Sequence, residues 1–396
     1  MAHVHIVGLG LLLFIACVVA IVTRRLGQPY AIGLVAAGIA LSLFGYKSGI
    51  ALTPELVFTF LLPPLIFEAA LHLKWHDFRR EVPLVLSMAF IGTIFSALVM
   101  AAGMHALVGW GWQAAALFGA LIAATDPVSV VAMMKEQHAE KRLRFLMESE
   151  SLVNDGAAAV LFSLAIAWIG GSSMSAGVMA LSLVTTVLGG IVCGLAVAAV
   201  LLLVAGRSDD HLVETTLTML AAYGSFLLAE ELEVSGVLAT LSAGMLVTNW
   251  GTGRGITERG GEAMMRFWDF AAFLANSVVF LLIGSREGMQ PLGAYFTAAA
   301  AATALVLLGR AFAVYPIAAL FRRSRLATSR MTQHILFWGG LRGALALALA
   351  LTAPTTLPEH DALIGVAFAV VAFSIFVQGL TVPRLLKIAA RNRRED

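Results

Sequence analysis

Thirteen apolar stretches of roughly the 20 residues a helix needs to cross a bilayer run through the chain, at 3–22, 30–46, 52–72, 82–109, 112–134, 146–170, 175–206, 211–229, 234–250, 264–285, 291–320, 331–353 and 361–385. So many spanning segments leave little room for anything else. The composition agrees, since 60% of the residues are hydrophobic and 13% charged, against about 25% charged in soluble domains. The fold class expected is an all-α polytopic membrane protein with about thirteen transmembrane helices. The first stretch has no Lys or Arg before it and is followed by Arg24 and Arg25, so it reads as a retained span and not as a cleaved leader. Cys17 and Cys193 both fall inside apolar stretches, which argues against a disulfide framework. The net charge of +2 is small and its basic residues sit in short clusters, so nucleic acid is not an expected partner.

Those clusters report topology. In the loops on one side, with their flanking span ends, lie twenty-one Lys and Arg residues, and on the other side only Lys47 and Arg286. The remaining three, Arg266, Arg310 and Arg342, fall within spans. By the excess of positive charge on the cytoplasmic side, the N-terminus is expected outside and the C-terminus inside. Thirteen spans divide into six, a linker span and six: residues 1–170, 171–210 and 211–396 of a single transporter domain. With an odd number of spans between their starts, the two sixes enter from opposite sides, as inverted repeats do.

The fifth span of each half is interrupted near its middle, by ATDPVSV (Ala124 to Val130) and by WGGLRGA (Trp338 to Ala344). Pro127 removes a backbone donor and clashes with the preceding turn, while Gly339, Gly340 and Gly343 weaken helix. A lone proline kink is common in membrane helices. An Asp directly before the proline and an Arg inside the glycine cluster are not, and paired interruptions point to a transporter's binding site.

Depth brings these residues together. At about 1.5 Å per residue, Asp126, Asp155 and Arg342 lie roughly 12–16 Å from the cytoplasmic ends of their spans, near the midplane of a core about 30 Å thick. Glu150, Ser151, Asn154 and Asp155 form one polar stripe on the sixth span, at about 100° per residue. Leu152, Val153, Ala157 and Val160 line its apolar side. Ionisable groups at such depth are costly and mark function by default. A buried ion pair between Glu150 and Arg342 accounts for two of them and leaves Asp155 and Asp126 unexplained.

Together, PPLIFEAAL (Pro63 to Leu71), ATDPVSV, ESLVNDG (Glu150 to Gly156) and GGLRGALALALAL (Gly339 to Leu351) resemble, in order, the motifs of the monovalent cation:proton antiporter superfamily, in its sodium/proton exchanger, NhaP-like branch. The likeness covers essentially the whole chain. It implies that Asp155 is the central carboxylate holding cation or proton in turn, with Ser151 Oγ and the Thr125 carbonyl as further Na⁺ ligands. Asp126 and Glu68 resemble the accessory carboxylates of that site. Asn154 resembles the residue tying the sixth span to the unwound backbone, and Glu150 with Arg342 the family's buried ion pair. The resemblance also implies a homodimer, and its Asn-Asp pair is that of the electroneutral branch. Because the chain ends at Asp396, no long regulatory tail is expected, and the membrane expected is a bacterial inner one.

The residue chemistry is compatible with that assignment. A hard monovalent cation takes oxygen ligands, which carboxylates, a hydroxyl and freed backbone carbonyls supply. The same carboxylates accept protons, so cation and proton compete for Asp155 and antiport follows. Li⁺ satisfies the same ligands, and K⁺/H⁺ exchange is the alternative within transport. Two other classes fare worse. An intramembrane hydrolase needs a nucleophile beside a base, and all nine histidines lie near span ends or in loops. A channel needs a filter such as TVGYG, which the chain lacks. The expectation is therefore a transporter, not an enzyme, with no cofactor and with Na⁺, H⁺ and the lipid bilayer as its partners.

Overall fold

The computed structural model describes residues 2–26, 28–45, 53–137, 139–171, 176–206, 208–251, 255–287 and 295–395. Lys47, Arg207 and Arg254, which enter the charge count above, lie outside them. In chain order the helices are α1 (Ala2–Leu26), α2 (Tyr30–Leu43), α3 (Leu62–Leu71), α4 (Trp75–Leu86), α5 (Thr93–Gly103), α6 (Trp112–Ala123), α7 (Val128–Glu136), α8 (Lys141–Ile169) and α9 (Ala176–Ala205). Then come α10 (His211–Glu231), α11 (Gly236–Leu246), α12 (Glu258–Glu287), α13 (Phe296–Leu320), α14 (Arg330–Trp338), α15 (Ala344–Leu351), α16 (His360–Phe373) and α17 (Gly379–Glu395). Each of the thirteen apolar stretches carries helix. Among the described residues, eight continuous helical stretches are by length and composition able to cross a membrane, two of them the pairs α4 with α5 and α16 with α17. Several of the others are short because their spans are broken: α6 with α7 by Ala124–Pro127, and α14 with α15 by Gly339–Gly343.

Wide turns, in which the hydrogen bond reaches one residue further than in an α-helix, join α4 to α5 at Ser87–Gly92 and α16 to α17 at Ser374–Gln378. Each pair is therefore one continuous helical stretch. Another such turn, Leu56–Leu61, leads into α3, whose opening Pro63 and Pro64 sit in the first turn, where a missing N–H is least costly.

Packing divides the chain into two compact units. The first comprises 1–54, 84–154 and 277–396, and the second 55–83 and 155–276. Each unit therefore draws on both halves of the sequence. Within the first, α5 packs on α6 and α13, and α13 on α16. Gly38 of α2 and Gly284 of α12 form a mutual close approach. A Cβ on Gly38 would run into the Leu281 carbonyl, and one on Gly284 into that of Val35. Small residues are what let helix backbones meet in this way where no hydrophobic effect drives them together.

Within the second unit, α9, α10, α11 and α3 pack together around a core that includes Phe67, Val247, Met264 and Trp268. Trp268 of α12 is fully buried, packs tilted against Phe67 of α3 with ring centroids 4.6 Å apart, and donates its indole N–H to Thr218 Oγ1 on α10 at 3.0 Å. That contact sets the register of α3 against α12. Glu214 of α10 is buried too, and accepts from the Thr257 N–H and hydroxyl at the start of α12, a carboxylate at the positive end of a helix. Outside, α9 exposes Val178, Leu181, Leu188, Val192, Val200 and Leu203, the apolar face that an integral membrane protein turns to lipid.

Candidate functional site

Two broken helices cross in the first unit. Because a residue before proline is disfavoured in the helical region, Asp126 leaves the helix at Pro127. Ala124 is already extended, at φ −60°, ψ 141°. The second break is the run Gly339–Gly343. Where the two meet, Asp126 N donates to Leu341 O at 2.7 Å, an antiparallel bridge between the unwound backbones. The Asp126 carboxylate then turns to accept from Val128 N at 2.9 Å, closing the first turn of α7. Gly343 makes room for it, since any Cβ there would overlap the Asp126 side chain. At Gly340 a Cβ would meet the guanidinium of Arg310.

Beside the first break runs the polar stripe of α8. Thr125 N donates to Asn154 Oδ1 at 3.1 Å, and Asn154 Nδ2 donates to Thr125 Oγ1 at 2.6 Å and to Glu150 Oε1 at 3.0 Å. Ser151 Oγ lies 2.9 Å from Thr125 Oγ1. All four side chains are buried. Asn154 thus satisfies both a backbone donor freed by the break and the carboxylate one turn earlier on its own helix, which are two groups whose burial without partners would each be costly.

The ion-pair partner of Glu150 is not the arginine expected. Arg310 of α13 grips both oxygens, Nη1 to Oε1 at 2.7 Å and Nη2 to Oε2 at 2.9 Å, and also donates to Leu336 O in the last turns of α14. Arg342 Nη1 instead donates to the carbonyls of Ala123 and Ala124, the latter at 2.9 Å, at the end of α6. The reason lies in geometry. Arg342 stands on unwound backbone and reaches the carbonyls that end α6, whereas Arg310 on intact α13 presents a planar fork to a carboxylate, its preferred bidentate partner.

The remaining assigned residues fall in the second unit. Asp155 follows Asn154 directly on α8, four residues after Ser151, and is half-buried. Glu68 lies on α3, where its carboxylate stands 3.3 Å from His72 Nδ1, and Asp269 of α12 brings its own carboxylate to the same place.

Over residues 12–388 the chain matches the family described as sodium/hydrogen exchanger, transmembrane. It belongs to the sodium/hydrogen exchanger family. Among curated relatives it is 37% identical to the low-affinity Na⁺/H⁺ antiporter NhaS1 of Synechocystis over 91% of this chain and 69% of that protein. It is 32% identical to the Na⁺/H⁺ antiporter NhaH of Halobacillus aidingensis over 97% of this chain and 98% of that one. Among solved structures, the sodium proton antiporter MjNhaP1 of Methanocaldococcus jannaschii shares the fold, with a TM-score of 0.80 at 20% identity over 97% of this chain and 98% of that one.

In this exchanger-family chain the crossing also uses residues that sequence reasoning did not assign. Ser374 Oγ accepts from Arg342 N at 3.0 Å and donates to Gln378 Oε1, and Gln378 Nε2 donates to Trp338 O at 3.0 Å. Both ends of the second break are thereby held to one wide turn. Both side chains are buried. A glutamine in the apolar run FSIFVQGL (Phe373 to Leu380) was the available signal, as was an unassigned arginine inside the span that forms α13.

Proposed function

We propose that this chain is an Na⁺/H⁺ antiporter of a bacterial inner membrane, working by alternating access with one cation exchanged for one proton. The observation that carries the reading is the meeting of the two breaks at Asp126 and Leu341 against the Ser151–Asn154 face of α8. Interrupted helices that cross at membrane depth concentrate oxygen donors and helix ends where an ion is handled, and the relatives named above are Na⁺/H⁺ antiporters by description. Asp155 is the group that takes Na⁺ or H⁺ in turn. Ser151 Oγ, the Thr125 carbonyl and Asp126 supply further oxygens, with Glu68 an accessory carboxylate. Glu150 with Arg310, Asn154, Pro127 and the glycines 339, 340 and 343 hold the crossing in shape. The chain spans the membrane thirteen times as two inverted sixes about a linker span, with its N-terminus outside, and works as a homodimer.

The experiment is a proton-flux measurement on purified protein in sealed liposomes, adding Na⁺, Li⁺ and K⁺ separately. Na⁺ and Li⁺ should each drive proton efflux, and Asp155→Asn should silence it. Flux driven by K⁺ alone would replace this reading with K⁺/H⁺ exchange. Na⁺ leak without proton movement would replace it with a channel.

A further inference from the structure

Glu68, His72 and Asp269 place one imidazole nitrogen and two carboxylate oxygens within 4.8 Å of one another. We propose that these three side chains form a binding site for a divalent transition ion of the zinc class.

Three features support it. Glu68 and His72 are four residues apart on α3 and so project from the same face, with their side chains only 25% and 28% exposed. Asp269 is brought opposite because its neighbour Trp268 packs against Phe67, the neighbour of Glu68, and is hydrogen-bonded to Thr218. The donor set is one nitrogen and two oxygens. Borderline divalent ions bind imidazole and carboxylate together, whereas Na⁺ has little use for a nitrogen ligand. Around a tetrahedral zinc the donor atoms stand roughly 3.4 Å apart, a separation that rotation of the exposed Asp269 carboxylate provides. Arg266, three residues before Asp269, is engaged by Glu262 at 3.0 Å.

The inference deepens the proposed function at one point. Glu68 is assigned there as an accessory carboxylate of the cation path, so an ion held at this site withdraws it and slows exchange. Zinc would then be an inhibitor acting at α3 and α12.

The test is calorimetric titration of ZnCl₂ into untagged, detergent-purified protein, comparing wild type, His72→Ala, Asp269→Asn and the control His76→Ala, whose exposed imidazole lies outside the trio. Wild type and His76→Ala should bind one Zn²⁺ per chain, and His72→Ala and Asp269→Asn should lose at least about tenfold in affinity while eluting as folded protein. Equal binding by wild type and His72→Ala overturns the site. In liposomes, Zn²⁺ should slow Na⁺-driven proton flux in wild type and not in His72→Ala. Binding without slowing leaves the metal site standing and removes Glu68 from the cation path. Loss of flux in every protein without added metal instead refutes the antiport reading and leaves the titration to decide the site.

Discussion

Arg310 is the residue whose removal should do most damage to the fold of the crossing. Replacing it with Met keeps most of its length but strips the buried carboxylate of Glu150 of two charge-assisted bonds, at 2.7 and 2.9 Å, and Leu336 O of its guanidinium donors. Breaking one side of a buried pair costs about 3–5 kcal/mol, and the orphaned carbonyl adds about 1–3 kcal/mol. Asn154 Nδ2 still reaches Glu150, so the lower end, about 4–5 kcal/mol, is the better figure. At about 2–4 °C per kcal/mol for a unit of 150–250 residues, the melting temperature in detergent should fall on the order of 10 °C. Adding Glu150→Leu removes the stranded charge, and the double variant should recover at least half of the loss. Melting is followed by loss of the size-exclusion peak after heating. Arg310→Met that melts with wild type, or a double variant no better than the single, refutes the view that Glu150 depends on Arg310. Arg342→Met is the contrast. It loses its bonds to the carbonyls of Ala123 and Ala124 and leaves both bonds that Arg310 makes to Glu150 in place, so Glu150→Leu should rescue it less than it rescues Arg310→Met.

Asp155→Asn should abolish Na⁺-driven proton flux while melting within a few degrees of wild type, because volume is conserved and only the exchanging group is lost; residual coupled exchange would move the central role elsewhere. Gly343→Ala should cut exchange at least about tenfold by pushing the Asp126 carboxylate away from α7, and unchanged flux would mean that Asp126 need not hold its place. Gln378→Leu removes the donor to Trp338 O and should cost about 1–3 kcal/mol, seen as a lower melting temperature, whereas Gln378→Glu should be worse because it also brings in a buried charge. With equal pH on both sides, flux should be bell-shaped in pH, and raising Na⁺ should move the acidic limb to lower pH; a limb that stays fixed as Na⁺ varies would indicate a separate pH sensor.

The layout of apolar stretches was legible in the sequence because length and hydropathy alone decide it. So were the two breaks, which Pro127 and the glycines 339, 340 and 343 announce, and the polar stripe, which follows from i, i+4 spacing on α8. The partner of Glu150 was not. Two arginines at membrane depth, Arg310 and Arg342, were equally able to neutralise it, and choosing between them requires the rotation of α13 about its axis, on which spacing along one helix is silent. Arg342 is harder still, since it sits where the backbone is not helical and periodicity assigns no direction to a side chain. The clamp at Ser374 and Gln378 was hidden for a related reason. A wide turn shifts the phase of every later residue, so a regular helix drawn through Phe373 to Leu380 misplaces Gln378. Asp269 and Glu68 are far apart in sequence, and it is the packing of α3 against α12, with Phe67 on Trp268, that joins them.

The charges at the crossing bear on stoichiometry. The C-terminal end of a helix carries a partial negative charge of about half an electron and the N-terminal end its opposite. Arg342 meets the carbonyls that end α6, Arg310 meets a carbonyl in the last turns of α14, and the Asp126 carboxylate caps the start of α7. Each full charge thus stands against a helix end of opposite sign. On the proposed reading, in which Glu150 stays paired to Arg310 and Asp126 keeps its charge throughout, the two arginines and two carboxylates sum to zero. Asp155, one residue beyond Asn154 on α8, then adds a single negative charge, which one proton or one Na⁺ neutralises equally well. On that reading the empty carrier would bear an unbalanced charge, and moving it through a low-dielectric barrier is strongly disfavoured, so only the two loaded forms, neither with net charge, would cross. Exchange should therefore be one for one and indifferent to voltage. In liposomes with the membrane potential clamped at zero and then at about 100 mV of either sign, where a single charge crossing the full potential is worth about 2.3 kcal/mol, end-point Na⁺ gradients should coincide. Gradients that follow the imposed potential would mean that Asp126 or Glu68 also releases a proton in each cycle, and the neutral sum would fail at that residue.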